Sequence, residues 1–274
     1  MSESLSLLSW NVESGGFESY ASDAEPTRQQ AVQDFVHTVQ ETHGVRAASL
    51  LDTHRWDDTF GSEEGIASYL GFAHARHTRL EDSRLDGNGQ AIGVTFATDE
   101  KIAQSEVLDL GTRNALGTIL DIGAHGLQVA TVYLDDLHQE RREDQIKELL
   151  EVIEKDIPTV LVGDFNMLRP SSKTDTLMQK SRDTAIRSMA KLLLPSPKRT
   201  TIVGLNKRTG VEKLTKDGFI DADEQLKRPT ALSWLHIFGV DYVFHKDVES
   251  VGPLKVLPTQ KVSDHSALVV DLKV

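Results

Sequence analysis

Between residues 72 and 135 the chain runs as short apolar stretches, near 72–79, 90–97, 105–111, 114–123 and 127–135, carrying Val, Ile, Leu and Thr. Turn chemistry such as Asp86-Gly87-Asn88-Gly89 separates them. Gaps of this length cannot hold a helical crossover, so the stretches are predicted to pair as antiparallel strands. Further strands are predicted at Leu5–Val12, Ala47–Leu51, Thr159–Val162, 240–245 and 266–272. Four helices complete the pattern. Residues 27–43 place Val32, Phe35, Val36 and Val39 on one face and close at Gly44, and a weaker pattern covers 62–70 before Gly71. Residues 138–155 line up Ile146, Leu149, Leu150 and Ile153, and 184–194 line up Ile186, Met189, Ala190 and Leu193. Many strands with a few one-sided helices predict two packed sheets whose outer faces are covered by helices. No linker or repeat divides residues 1–274, which are read as one domain.

Composition narrows the chemistry. The chain has no cysteine, which excludes disulfides, thiolate metal sites and cysteine nucleophiles together. Any metal must be held by oxygen or imidazole. A net charge of −12 argues against a body that is basic all over and held to DNA by bulk charge. That charge is uneven. Residues 169–217 carry twelve Lys and Arg against four acids, a local +8 that suits a phosphate-attracting rim as well as a solvated surface. No apolar run approaches the roughly 20 residues of a membrane span, so no membrane insertion is expected. The start, MSESLSLLSWNV, has acid where a signal peptide carries base, and a cytoplasmic monomer is the expectation.

Polar clusters stand at the ends of four predicted strands: Trp10-Asn11, Asp52, Gly163-Asp164-Phe165-Asn166 and Ser263-Asp264-His265-Ser266. One carboxylate at a strand end is ordinarily a turn former. Together the clusters supply three carboxylates, two amides and an imidazole, a set suited to a hard divalent cation and to a histidine aimed at phosphate.

With these motifs in order from Leu7 to Leu272, the chain resembles the endonuclease/exonuclease/phosphatase superfamily. Ser9-Trp10-Asn11 matches the first family motif, and Leu50-Leu51-Asp52 lies where the family has Leu-Gln-Glu. Val132-Tyr133-Leu134, followed by Arg142 and Gln145, lies at the strand that carries a histidine or tyrosine. Gly163-Asp164-Phe165-Asn166, Val240-Asp241-Tyr242-Val243-Phe244 and Ser263-Asp264-His265 complete the set.

The resemblance implies a four-layer α/β sandwich with the site at one edge of two mainly antiparallel sheets. It also implies roles. Asn11, Asp52 and Asp264 would hold Mg²⁺ or Mn²⁺. Asp164 would deprotonate the attacking water and Asn166 would position it. His265 would stabilise developing charge with its ring held by Asp241, and Tyr133 would donate to phosphate. Asp52 departs from the family glutamate and is one methylene shorter, which predicts weakened or altered metal binding.

The implied activity is a metal-dependent phosphodiesterase cleaving DNA or RNA by in-line attack of water. Tyr133 leans toward nucleic acid, because exonuclease III-type members carry tyrosine there. The alternatives are hydrolysis of a small phosphate ester, lipid headgroup or phosphoinositide, and a non-catalytic scaffold with a degraded metal site. Three further features read as structural or peripheral. Gly87 to Gly93 reads as a hairpin turn, His74 and His77 as exposed strand histidines, and His54 and Arg55 as residues within reach of substrate phosphate.

Overall fold

The computed structural model describes residues 3–12, 28–53, 56–78, 93–110, 113–135, 138–167, 209–223, 240–250, 252–259 and 262–274. Residues 87–92 of the Gly87–Gly93 turn, the helix expected at 184–194, His54, Arg55 and most of the basic segment lie outside them.

Two sheets are formed. The first joins β11 (Glu249–Ser250), β13 (Ala267–Lys273), β1 (Ser4–Asn11), β2 (Ala47–Leu51), β4 (Val94–Thr98) and β3 (His74–His77) in that order, with β12 (Lys255–Leu257) also on β13. The second runs β5 (Ile102–Asp109), β6 (Asn114–Leu120), β7 (Leu127–Tyr133), β8 (Thr159–Asp164), β10 (Asp241–Lys246) and β9 (Ile220–Asp221). Pairing is antiparallel except at two strand pairs, each joined by a helical crossover. β1 and β2 are parallel across α1 (Arg28–His43), and β7 and β8 are parallel across α4 (Gln139–Val152). Among the described residues, shorter helices are α2 (Trp56–Phe60), α3 (Glu63–Leu70) and α5 (Thr209–Lys216). The chain is therefore the four-layer sandwich expected.

Strand periodicity explains the layering. On β1, Leu5 and Leu7 face the other sheet, whereas Leu8 and Trp10 face α1 and α3. On β8, Val160 and Val162 point between the sheets and Leu161 points to the α4 side. Three cores result: one between the sheets and one under each helical layer. The predicted stripes are the buried ones. Val32, Val36 and Val39 of α1 are buried, as are Ile146 and Leu149 of α4, and Phe35 meets Trp10 at 4.7 Å between ring centroids. Cutting Ile146 or Leu149 back to alanine costs about 2–5 kcal/mol. Local chemistry sets the ends of α3: Ser62 accepts a hydrogen bond from the Gly65 N–H, and Gly71 closes it at φ 75°.

One expectation is corrected. His74 is exposed, but His77 is buried, because alternation on β3 turns it with Ala75 toward α3. Sequence reading also missed α2, α5, β9, β11 and β12, all of eight residues or fewer.

Candidate active site

At one edge of the sandwich the inward-facing positions change from apolar to polar. Asn11 continues the parity of Leu5 and Leu7, Asp164 that of Val160 and Val162, Asp241 that of Val243, and Tyr133 that of Val129. The second sheet then aligns three of them. Asp164 is the register partner of Tyr133 on β7 and of Asp241 on β10, so the three stand side by side. Asn11 reaches them from the first sheet, its Nδ2 donating to Asp164 Oδ2 at 3.4 Å.

Gly163 makes this alignment possible. Its φ is +139°, and a Cβ there would lie 2.1 Å from the Val132 carbonyl oxygen on the neighbouring strand. Asn166 follows in a left-handed conformation at φ 49°. Its N–H donates to Asp164 Oδ1 at 2.8 Å and its Nδ2 to the Leu134 carbonyl at 2.9 Å, tying β8 to the end of β7. Arg142 and Gln145 act one step further along. The buried Arg142 donates to the Asp135 carbonyl at 2.8 Å, and Gln145 Oε1 accepts from the Asp135 N–H at 2.9 Å, which fixes the segment after Tyr133.

His265 closes the cluster. Its Nδ1 lies 3.2 and 3.0 Å from the two Asp241 carboxylate oxygens, and its Nε2 lies 3.9 Å from Asp164 Oδ2 and 3.8 Å from Asp264 Oδ1. Ser263 positions this loop: its Oγ donates to the Asn11 carbonyl at 2.7 Å and accepts the His265 N–H at 3.0 Å. Arg28 braces the same corner by donating to the carbonyls of Val262 and Val12.

The electrostatics follow from this crowding. Burial, then the Asp241 carboxylate, pushes Asp164 up to about 7, against the opposing pull of His265 and the hydrogen bonds from Asn166 and Asn11. Burial alone would lower His265, but Asp241, Asp164 and Asp264 overcome it and hold the ring up at about 10. The imidazole is thus a cation at neutral pH.

Ligand atoms of Asp164, Asp241 and His265 all lie within 4.8 Å of one another, the one such group of metal-ligating side chains among the described residues. Asp264 stands beside it with a side chain 39% exposed. Asp52 is outside the tight group but at the same end of the first sheet, one residue past Leu51, the register partner of Asn11. It is a bulge. Leu51 pairs with Val94 and the Thr53 N–H donates to the Gly93 carbonyl, so Asp52 is the extra residue of the bulge, at φ 58°. Carboxylates outnumber cationic groups here, and the added donors are oxygens, which fits a hard divalent cation.

One residue was not anticipated. Arg113, buried at the β5–β6 turn, sets its guanidinium 5.1 Å from the centre of the Tyr133 ring. Nothing in its sequence context marks it, since Tyr133 is 20 residues away, at the far end of the neighbouring strand.

This sandwich, with its buried carboxylate–histidine cluster at the open edge of two sheets, defines the class. The chain belongs to the Endonuclease/Exonuclease/phosphatase family, whose model matches residues 8–265. That family includes nucleases and phosphodiesterases, is composed of phosphoric ester hydrolases and generally depends on divalent metal. Solved structures share the fold. An endonuclease/exonuclease/phosphatase from Beutenbergia cavernae superposes with a TM-score of 0.69 at 16% identity, over 99% of this chain and 72% of that one. An AP endonuclease from Archaeoglobus fulgidus gives 0.63 at 14% identity, over 97% and 98%. Truncated TDP2 from Caenorhabditis elegans gives 0.59 at 12% identity, over 99% and 98%. No curated protein matches the chain. No helix among the described residues is long and apolar enough to cross a membrane.

Proposed function

We propose that the protein is a divalent-metal-dependent phosphodiesterase that hydrolyses DNA or RNA by in-line attack of water. The observation that carries this reading is the pairing of Asp164 with His265. A buried carboxylate whose pKa sits near neutrality lies 3.9 Å from an imidazole held as a cation by Asp241. A carboxylate poised there accepts a proton from water at working pH, and a fixed cation beside it stabilises charge that develops on phosphate.

Asn11, Asp52 and Asp264 would hold Mg²⁺ or Mn²⁺, which when bound supplies electrophilic stabilisation of the scissile phosphate. Asp164 takes the proton of the attacking water, with its own oxygens oriented by Asn11 and by the Asn166 N–H. Asn166 positions that water or a phosphate oxygen. His265 donates from Nε2 to a phosphoryl oxygen while Nδ1 stays on Asp241. Tyr133, beside Asp164 in the sheet, donates its phenol to the phosphate or leaving group.

Nucleic acid is favoured as substrate by the cluster of basic residues in 169–217 and by the AP endonuclease among the structural relatives. The test is a panel of single-stranded DNA, nicked and abasic duplex, RNA, and simple mono- and diesters, each with Mg²⁺ or Mn²⁺. Metal-dependent cleavage of a polynucleotide is expected. Turnover of small esters alone would reassign the substrate, and no turnover of any member would leave a binding scaffold.

A further inference from the structure

Behind the Asp52 bulge, on the helix side of the first sheet, lies a buried polar chain that the proposed reaction does not use. His77 Nδ1 is 2.7 Å from Thr95 Oγ1, and Thr95 Oγ1 is 2.8 Å from Thr53 Oγ1. Thr53 and Thr95 are fully buried and His77 nearly so. The chain therefore crosses from β3 through β4 to the residue next to Asp52 without leaving the protein interior.

Each end of the chain is anchored. At the far end the Glu63 carboxylate of α3 accepts from the His77 N–H at 3.2 Å and from Arg76 Nη1 at 2.9 Å, pinning β3 to the helix. At the near end Thr53 is held twice, by its N–H on the Gly93 carbonyl at 2.9 Å and by its hydroxyl on Thr95. Between Leu51, fixed in the ladder, and Thr53, fixed by this chain, Asp52 has no latitude. It occupies a left-handed conformation at φ 58°, uncommon for a non-glycine residue although aspartate tolerates it better than most.

The identity of residue 52 makes such control matter. An aspartate has one side-chain torsion fewer than a glutamate, so it cannot absorb a backbone error by re-extending. Its carboxylate lands where the bulge puts it. Burial also pushes His77 down to about 4, so the ring sits neutral in the chain at ordinary pH, with a nitrogen able to accept from or donate to Thr95.

We infer that the His77–Thr95–Thr53 chain is a positioning device for Asp52, holding the bulge that presents its carboxylate to the cation and so setting how tightly that cation binds. None of the three residues touches substrate or cation. The inference rests on the reading of Asp52 as a cation ligand.

Titration of Mn²⁺ with the intact protein, followed by the electron paramagnetic resonance signal of free Mn²⁺ and paired with a thermal melt of each variant, tests it. Asp52→Asn and Thr95→Val are each expected to weaken Mn²⁺ binding at least tenfold. The double variant is expected to bind no more weakly than Asp52→Asn alone, because Thr95 acts through Asp52. Thr95→Ser, which keeps the hydroxyl, should restore parental affinity. Thr118→Val, an equally buried threonine in the other sheet, should leave it unchanged.

Parental affinity in Thr95→Val, additive weakening in the double variant, or no effect of Asp52→Asn overturns the inference while the hydrolase reading stands. Absence of Mn²⁺ binding by the parent overturns both. Should Thr95→Val not fold, His77→Leu against His77→Asn makes the same comparison. The asparagine amide can replace Nδ1, and parental affinity in His77→Leu overturns the inference.

Discussion

Asp164 and Asp241 stand opposite one another across the β8–β10 ladder, in register, and His265 bridges them, with Nδ1 on Asp241 and Nε2 turned to Asp164. Two like charges on neighbouring strands repel, and the imidazolium between them is what lets both carboxylates be buried.

Removing the Asp241 charge should therefore be felt in the titration of His265. The ring is raised to about 10 by Asp241 first among its carboxylate neighbours, against a burial that acts to lower it. In Asp241→Asn burial gains the upper hand, and the pKa falls toward or below its ordinary 6.5. Imidazole proton shifts of the metal-free protein, followed by NMR from pH 5 to 10, would show the midpoint move down by more than one unit. In the parent, the stability this raised pKa supplies is complete below about 6.5 and is lost as pH climbs through about 10. The variant should lose that slope.

Asp164→Asn keeps the shape of the residue and its place beneath Asn166 while abolishing the proton acceptor. Hydrolysis is expected to drop by about 10²–10⁴, the usual contribution of a positioned acid–base group. Circular dichroism and melting should be unchanged or improved, since a raised carboxyl pKa marks a charge that is unfavourable where it sits. Parental turnover in this variant would remove Asp164 from the water-activating role.

His77 predicts acid sensitivity away from the site. Its folded pKa, near 4, lies below the ordinary 6.5, so between those values the unfolded chain binds a proton that the folded chain refuses. Stability should rise with pH across that window and be unaffected by this residue above it. Asp57 opposes the shift, and Arg76 and Glu63 flank the ring's backbone. At 1.36 kcal/mol per unit the full effect is about 3 kcal/mol at most. Urea midpoints of the parent and of His77→Asn should agree at pH 6.5 and above and separate as pH falls to 4, the parent becoming the less stable of the two.

Gly163 offers a test of the fold that needs no substrate. Adding a methyl at φ +139°, 2.1 Å from the Val132 oxygen, forces β7 and β8 apart. Gly163→Ala should cost at least about 2–3 kcal/mol from strain alone. Gly44→Ala, also at positive φ but with nothing within 4 Å of the new carbon, should cost only about 1 kcal/mol. Equal losses in chemical denaturation would show that the contact with Val132 does not constrain the sheet.

Salt distinguishes the substrates. Binding of a duplex through several phosphates should weaken with a log–log slope of about −0.9 per neutralised contact, whereas a single small ester should respond weakly. Affinity for a catalytically inactive duplex complex, measured between 50 and 200 mM salt, reads this directly.

Much of this architecture was legible because the residues that make it carry local signals. Strand parity and the helical stripes of α1 and α4 follow from periodicity, and the motif residues Asn11, Asp164, Asp241 and His265 do converge on one sheet edge. What escaped depends on contacts distant in sequence. Arg113 meets Tyr133 only because β6 and β7 pair, and His77 is buried only because α3 folds over β3. The Asp52 bulge arises from a mismatch of count between two strands 40 residues apart, which neither strand records by itself.

Because Asn11, Tyr133, Asp164 and Asp241 share the inward parity of the core strands, a slip of one residue in any of β1, β7, β8 or β10 would turn its polar tip out of the gap and under a helix. Catalysis by this protein would then double as a report on strand alignment. A misthreaded or half-zipped molecule, however compact, should be silent rather than slow.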